Sequence, residues 1–86
     1  MKVVLRKSFL KEASNLPLKI KELLLRKTDI FRINQNDTRL HVKKLSGKLE
    51  GFYSLRLTRE YRIIYCFENK DKAIFIDIGH RKDIYK

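Results

Sequence analysis

The chain has 86 residues, enough for one small domain with a single modest core, and we interpret residues 1–86 as that domain. Its 21 Lys and Arg against 10 Asp and Glu give a formal net charge of +11, which favours a polyanionic or acidic partner. An apolar share of 43% argues against disorder, and no apolar run approaches the length of a membrane span. Nucleic acid is the first candidate partner, ahead of an anionic membrane surface and an acidic protein.

The first half of the chain predicts one strand followed by two helices. A short apolar run at residues 2–6 predicts the strand. Ser8 is a residue type that often caps the N-terminus of a helix, so we expect a first short helix to begin there. Pro17 suits the first turn of a second helix, whose apolar residues recur near helical spacing until polar residues 34–37 end it. We expect the two helices to form a hairpin that packs its apolar stripe on a sheet.

The second half predicts a run of strands. Residues 40–45 alternate weakly, which indicates a short strand or an extended approach to the glycine-containing turn at residues 46–51. Residues 52–67 alternate with period two on both sides of a short polar hinge, as a β-hairpin does. Residues 73–78 are almost continuously apolar and predict a central strand, which we expect Gly79 to break with no helix after it. Strand, helical hairpin and strands together are typical of an α+β fold with a twisted, mainly antiparallel sheet of about four strands.

The alternation in the hairpin predicts that two arginines share one surface. If Tyr53, Leu55 and Leu57 face a core, then Arg56 faces away from it. Arg62 occupies the matching outward position on the second strand. The alternative to a functional role is that Arg62 pairs with a neighbouring carboxylate or lies on an ordinary solvated face.

The sequence lacks the motifs of several classes of enzyme and metal site. There is no glycine-rich phosphate loop, no Ser or Cys nucleophile signature and no His and Cys cluster at zinc spacing. The single cysteine, Cys66, lies within a strand pattern and has no partner for an internal disulfide, so we interpret it as a small buried apolar residue in a reducing compartment. The N-terminus lacks the apolar core of a signal peptide, and we expect a cytoplasmic protein.

The segment LHVKKLSGKLEGFYSLRLTREYRIIYCF, followed by AIFIDIGHRKDIYK, resembles the RelE/ParE superfamily of toxins from toxin–antitoxin modules. The YRIIY strand and the GHRKDIY ending carry most of the resemblance. It implies a RelE-like fold and a ribosome-dependent mRNA interferase that uses no metal or other cofactor. It also implies the ribosome, mRNA and a cognate antitoxin as partners, with toxin and antitoxin forming a hetero-oligomer.

The chemistry of such an enzyme explains why basic residues are sufficient. RNA supplies its own nucleophile, the 2′-hydroxyl next to the scissile phosphate. The protein aligns that hydroxyl, neutralises charge on the phosphate and moves protons. Arginine suits the phosphate because its planar fork stays charged, and histidine suits proton transfer near neutral pH.

The resemblance also assigns candidate catalytic residues. Arg62 matches the arginine that relatives place against the scissile phosphate, and Arg56 stands where they carry a second cation. His80 and Arg81 fall where relatives place a catalytic histidine or arginine. Tyr85 falls where many carry an aromatic residue that stacks on a base or joins the proton transfer.

The general base stays open between two residues. Lys43 lies near the position where one branch of the superfamily, resembling YoeB, carries a glutamate base, and His80 is the alternative. We interpret Lys44, Lys48 and Lys82 as general electrostatic contacts to RNA.

Two other functions stay open at this stage. ParE-like members share the fold and inhibit DNA gyrase by binding rather than by cutting. A decayed toxin would bind its antitoxin without cleaving anything.

Overall fold

A five-stranded mixed sheet forms the centre of the computed structural model, which describes residues 1–84. The strands are β1 (Lys2–Leu5), β2 (Lys43–Lys44), β3 (Tyr53–Arg56), β4 (Tyr61–Asn69) and β5 (Lys72–His80). The helices are α1 (Lys7–Ser14), α2 (Leu18–Ile33) and α3 (Arg81–Ile84), and 3₁₀ turns cover Thr38–Leu40 and Gly47–Leu49. The strand order is β1-β5-β4-β3-β2, with β1 parallel to β5 and the other pairs antiparallel. The α+β prediction is confirmed, with one strand more than the expected four.

The position of β5 follows from its composition. β5 lies between β1 and β4, so both of its edges are paired over Lys72–Phe75. On one face it buries Ala73, Phe75 and Ile78, which accounts for its almost continuous apolar sequence. The interior position is as predicted, although β4 is the middle strand of the five.

The helical hairpin packs on one face of the sheet, as predicted. Phe9 and Ala13 of α1 and Phe31 of α2 are buried in the same core as the β5 residues. The ring centroid of Phe31 lies 5.0 Å from that of Tyr65 and 5.3 Å from that of Phe75, both in edge-to-face geometry. These aromatic contacts hold the hairpin on the sheet.

The helix starts differ from the Ser8 prediction. α1 begins at Lys7 with Arg6 as its N-cap, and no side chain caps it. The reason lies in the sheet, because the Arg6 N–H donates to the Phe75 carbonyl oxygen at 3.3 Å and the helix begins where that pairing ends. Pro17 is the N-cap of α2, where its missing N–H costs no intrahelical bond.

The C-terminal prediction was wrong in two respects. β5 continues through Gly79 to His80, because β4 pairs with it along that whole length. A short helix, α3, then follows, where no helix was expected. The Arg81 N–H donates to the Glu60 carbonyl oxygen at 2.7 Å and ties this turn to the β3–β4 loop. These bonds come from residues distant in sequence, so local pattern did not show them.

No helix within residues 1–84 is both long and apolar enough to span a bilayer.

Candidate functional site

The sheet face that points away from the helices carries the two arginines predicted to lie together. Arg56 and Arg62 are direct cross-strand partners in β3 and β4. Residues opposite each other in an antiparallel pair share a face, and the next pair along faces the other way. That next pair is Leu55 and Ile63, both fully buried in the core beneath the helices. The two arginines therefore lie on the sheet face opposite the one that α1 and α2 cover.

Strand β2 adds a third cation to this face. Lys43 pairs with Ser54, which lies two residues before Arg56 on the same side of β3. Gly79 of β5 stands opposite Arg62, and a Cβ built at Gly79 would meet no atom within 4 Å. We call the surface formed by Lys43, Ser54, Arg56, Arg62 and Gly79 the cationic face. It joins residues from four strands.

The cations of this face are not paired with any carboxylate that the structure describes. Within residues 1–84, no salt bridge involves Lys43, Arg56 or Arg62. The alternative that Arg62 pairs with Glu60 or Asp77 therefore finds no support in the geometry. Like charges placed opposite each other on a sheet repel, so the free protein carries an electrostatic cost here that a bound anion would remove.

Two polar atoms of the cationic face also lack a hydrogen-bond partner among residues 1–84. Ser54 is 1% exposed, and its Oγ makes no hydrogen bond with any described residue. The same holds for the buried Nε of Arg56. Buried polar groups are nearly always paired in folded proteins, so these two atoms need an explanation.

His80 lies apart from the cationic face. It pairs with Tyr61, whose neighbours along β4 on the same side of the sheet pack in the core. The two rings meet edge to face with centroids 5.8 Å apart, and His80 Nε2 is 3.4 Å from Glu60 Oε2. Its Nδ1 accepts from the Lys82 N–H at 3.2 Å. The structure thus separates His80 from Arg62, two candidates that the sequence placed in one site.

The remaining candidates lie around the edges. Arg81 is exposed at the start of α3, tied through its backbone to Glu60 and close to the Arg62 end of the sheet. Lys44 pairs with Tyr53 on the edge strand, Lys48 is exposed on the 3₁₀ turn Gly47–Leu49, and Lys82 is exposed on α3. Tyr85 lies outside the described residues.

A further pair of cations was missed by sequence reasoning. The Lys27 Nζ donates to the Arg39 carbonyl oxygen at 2.6 Å. Burial, followed by the charges of Arg39 and Arg56, lowers the pKa of Lys27. Lys27 and Arg39 therefore extend the positive charge from Arg56 towards α2. In the sequence, this role of Lys27 was indicated only by its spacing: it lies three residues after Leu24 and four before the core residue Phe31.

A bidentate ion pair holds Arg39 in place. Its Nε and one terminal nitrogen lie 2.9 and 2.8 Å from the two carboxylate oxygens of Asp37. These hydrogen bonds, with a backbone bond from Arg39, hold the pKa of Asp37 at about 2.

A pocket of about 530 Å³ lies between α1, α3 and the end of β5, and it shares Gly79 with the cationic face. Three carboxylates line it, those of Glu12, Asp77 and Asp83. Their charge repels polyanions, so the shallow cationic face is the better match for RNA. Within residues 1–84, no three His, Cys, Asp or Glu side chains are grouped so that they could hold a metal ion.

Comparison with known proteins places the chain in a family. The model of the RelE-like toxin of type II toxin–antitoxin system HigB matches residues 4–78. No curated protein matches the sequence significantly. Two solved toxin–antitoxin complexes, RelB–RelE from Methanococcus jannaschii and RelE–RelB from Pyrococcus horikoshii OT3, are each similar with 26% identity and a TM-score of 0.77. Each alignment covers 95% of this chain, with 94% of the first toxin chain and 96% of the second.

A YoeB/ParE toxin from Agrobacterium tumefaciens has the same fold, with a TM-score of 0.79 at 18% identity over 94% of this chain and 99% of its own. Because the family model spans most of the sequence and the fold agrees, this protein belongs to the RelE-like toxins of type II toxin–antitoxin systems.

Proposed function

We propose that this toxin cleaves messenger RNA on the ribosome, using the 2′-hydroxyl of the RNA as the nucleophile. The observation that carries the proposal is the cationic face, where Lys43, Arg56 and Arg62 lie together without a salt bridge to any described residue. A phosphodiester would supply the negative charge that this surface lacks.

The reaction requires two proton movements around one phosphate. The 2′-oxygen attacks phosphorus as its proton passes to a base, and the bond from phosphorus to the 5′-oxygen breaks as that oxygen gains a proton. The products are a 2′,3′-cyclic phosphate and a free 5′-hydroxyl. In this scheme Arg62 and Arg56 bind the non-bridging oxygens and stabilise the charge that develops on them.

Lys43 is the better placed of the two candidate bases. It shares the cationic face with Arg56, whereas His80 pairs across the strands with Tyr61 and contacts Glu60. A base must reach the hydroxyl that it deprotonates, and the position of Lys43 on the same face as Arg56 supports it on that ground. In this role the Lys43 amine must be neutral when it accepts the proton, so its charge would assist RNA binding and not the proton transfer itself. We propose that Arg81 contacts the phosphate from the end of the sheet, and the resemblance supports Tyr85 as an aromatic contact to a base or a proton donor.

The wider basic surface would hold the RNA and the ribosome without reading sequence. Lys44, Lys48 and Lys82 are exposed and lie on three separate elements, the edge strand β2, the 3₁₀ turn Gly47–Leu49 and α3. Cations of this kind bind phosphates through long-range attraction, so their contribution should fall with salt.

We infer that a cognate antitoxin holds the toxin inactive. Several similar structures were solved as toxin–antitoxin complexes, among them the heterotetrameric YoeB–YefM complex from Staphylococcus aureus. The helical hairpin of this toxin leaves Leu10, Leu18 and Leu25 exposed and has a groove of about 290 Å³ beside Leu24 and Leu25. An amphipathic antitoxin helix would cover this apolar surface, and acidic residues next to it would neutralise the toxin's charge.

Primer extension on a reporter mRNA in a purified translation system tests the function. We expect breaks that appear only with ribosomes and that disappear when the cleaved nucleotide carries a 2′-deoxyribose. Breaks that persist at the deoxy position would contradict the 2′-hydroxyl mechanism. No breaks, with translation intact, would refute the nuclease, and a DNA gyrase supercoiling assay would then distinguish a gyrase inhibitor from a protein that only binds its antitoxin.

The same assay tests the antitoxin. A stoichiometric amount of the antitoxin is expected to abolish cleavage, and full cleavage by the purified complex would contradict its inhibitory role.

A further inference from the structure

His80 lies at the junction between the sheet and the C-terminal helix. It is the last residue of β5 and comes directly before α3, which begins at Arg81. This is the N-cap position of a helix, where a side-chain acceptor can bind one of the first backbone N–H groups. The Nδ1 of His80 accepts a hydrogen bond from the N–H of Lys82, the second residue of α3, at 3.2 Å. The imidazole therefore caps α3 as an Asn or Asp side chain would.

Two further contacts orient the imidazole ring of His80. Its Nε2 lies 3.4 Å from Glu60 Oε2, and the ring meets that of Tyr61 edge to face with centroids 5.8 Å apart. A ring nitrogen that accepts a hydrogen bond carries no proton, so the neutral imidazole has its proton on Nε2, directed at the Glu60 carboxylate. The cap and the Glu60 contact thus require the same tautomer.

The helix α3 needs such a cap because it is a single turn. A helix of four residues consists almost entirely of its two termini, and short helices are marginal without support from outside. Two hydrogen bonds hold its start. The Arg81 N–H donates to the Glu60 carbonyl oxygen at 2.7 Å, and the Lys82 N–H donates to His80. Without the second bond, the direction of the turn would be less well defined.

We propose that His80 is a positioning residue that acts on the RNA site through Arg81. Gly79 lies opposite Arg62 on the cationic face, and Arg81 follows it by two residues, so the course of α3 decides how the Arg81 guanidinium approaches a phosphate. By capping α3, His80 holds that turn in one conformation. This inference rests on the proposed function for the role of Arg81. It gives His80 neither a contact with RNA nor a proton transfer.

Two amide side chains separate the functions of the two ring nitrogens. In His80→Asn, the Oδ1 takes the place of Nδ1 and can still accept from the Lys82 N–H. In His80→Gln, the amide takes the place of Nε2, so the contact with Glu60 can form and the cap is lost. Both variants lose the aromatic contact with Tyr61, and each is therefore the matched control of the other.

Binding of a 2′-deoxy oligonucleotide that cannot be cleaved measures the effect on the site. His80→Gln should weaken binding by about threefold to fivefold, because the loss of a cap lowers the fraction of molecules in which Arg81 is in place. His80→Asn should bind within about twofold of the wild type, since the Glu60 side chain that it no longer contacts is 66% exposed. Cleavage of the matching RNA should follow the same order.

An Arg81→Ala background tests whether His80 acts through Arg81. Once the guanidinium is absent, His80→Gln should cause no further loss of oligonucleotide binding, because residues that act as a unit are not additive. A full threefold to fivefold loss in that background would overturn the proposed route through Arg81.

Nitrogen NMR of the histidine side chains tests the cap without any RNA. At a pH where imidazole is neutral, the wild type should show His80 with its proton on Nε2. The chain has two histidines, and His80→Asn removes the signals of one, which assigns them. The backbone amide of Lys82 should exchange faster with solvent in His80→Gln than in His80→Asn or the wild type. A proton on Nδ1, or equal exchange in all three proteins, would overturn the cap.

The binding results separate this role from the other roles that His80 could have. Equal losses in His80→Asn and His80→Gln would overturn the positioning role, because they would trace the effect to the Tyr61 contact or to proton transfer. Wild-type binding by both variants would also overturn it. Wild-type protein that cuts no RNA, together with weaker binding by His80→Gln alone, would refute the nuclease function and support the positioning role.

Discussion

The two faces of the sheet are built from the same strands and have opposite properties. On the helix side, the cross-strand pair Leu55 and Ile63 is fully buried among aromatic rings. One residue further along, the pair Arg56 and Arg62 carries two cations, without an ion pair to any of residues 1–84. The strand period of two allows this separation, because it assigns alternate residues to alternate faces. One face stabilises the fold, and the other accepts an electrostatic cost that a bound anion would relieve.

Phe31→Ala tests the stabilising face and has the largest expected effect. Phe31 is fully buried and contacts Tyr65 and Phe75 edge to face. Its truncation should lower the free energy of unfolding by about 3–5 kcal/mol, measured by urea denaturation. Ile33→Ala, at an 89% exposed position of the same helix, is the control and should change it by less than about 0.5 kcal/mol. Equal losses in the two variants would contradict the assignment of the core.

Arg62→Ala tests the cationic face. Losing a donor that stabilises the phosphate in the transition state should slow cleavage by about 10²–10³-fold, while stability changes little because Arg62 is partly exposed. Initial cleavage rates in the translation system measure the effect, and Arg59→Ala, in the exposed β3–β4 loop, serves as the control. An unchanged cleavage rate in folded Arg62→Ala protein would show that the catalytic site lies elsewhere on the protein.

Comparing Lys43→Ala with His80→Gln distinguishes the two candidate bases. We expect Lys43→Ala to slow cleavage by about a hundredfold and His80→Gln by less than about tenfold, because His80 lies on the other side of the sheet in contact with Tyr61. Rates measured across a pH series would show which variant loses the dependence on a base. The reverse order of effects would assign the base to His80.

Asp37→Asn has the smallest expected effect and probes the edge of the cationic face. The hydrogen bonds from Arg39 hold the pKa of Asp37 at about 2, below its value of about 3.9 in an unfolded chain. A carboxyl whose pKa is depressed by folding stabilises the native state above pH ~4, and this contribution disappears as the pH falls towards 2. Unfolding curves should therefore depend less on pH in that range for Asp37→Asn than for the wild type.

The control for that experiment is Asp29→Asn, which removes an exposed pair with Arg32 on α2. Acid unfolding of Asp37→Asn that matches the wild type throughout would show that the Arg39 pair contributes nothing.

The features that sequence alone predicted are local ones. The alternation in residues 52–67 was enough to place Arg56 and Arg62 on one surface, and the apolar run of β5 was enough to make it an interior strand. Both predictions rest on the geometry of single strands, which neighbouring residues determine. The α+β order of elements follows for the same reason.

The tertiary structure decided what each strand pairs with. Residues 43 and 44 showed only a weak alternation, and the pairing of β2 with β3 is what brings Lys43 beside Ser54. The pairing of β4 with β5 carried the strand through Gly79 and turned His80 towards Tyr61, away from Arg62.

By itself, then, the sequence determined the charge, the order of elements and the face of each strand residue, because composition and strand period are properties of the chain. Strand register depends on contacts between distant segments, and so does the burial of Ser54 Oγ and Arg56 Nε without a hydrogen bond to any of residues 1–84, so only the folded structure decided them.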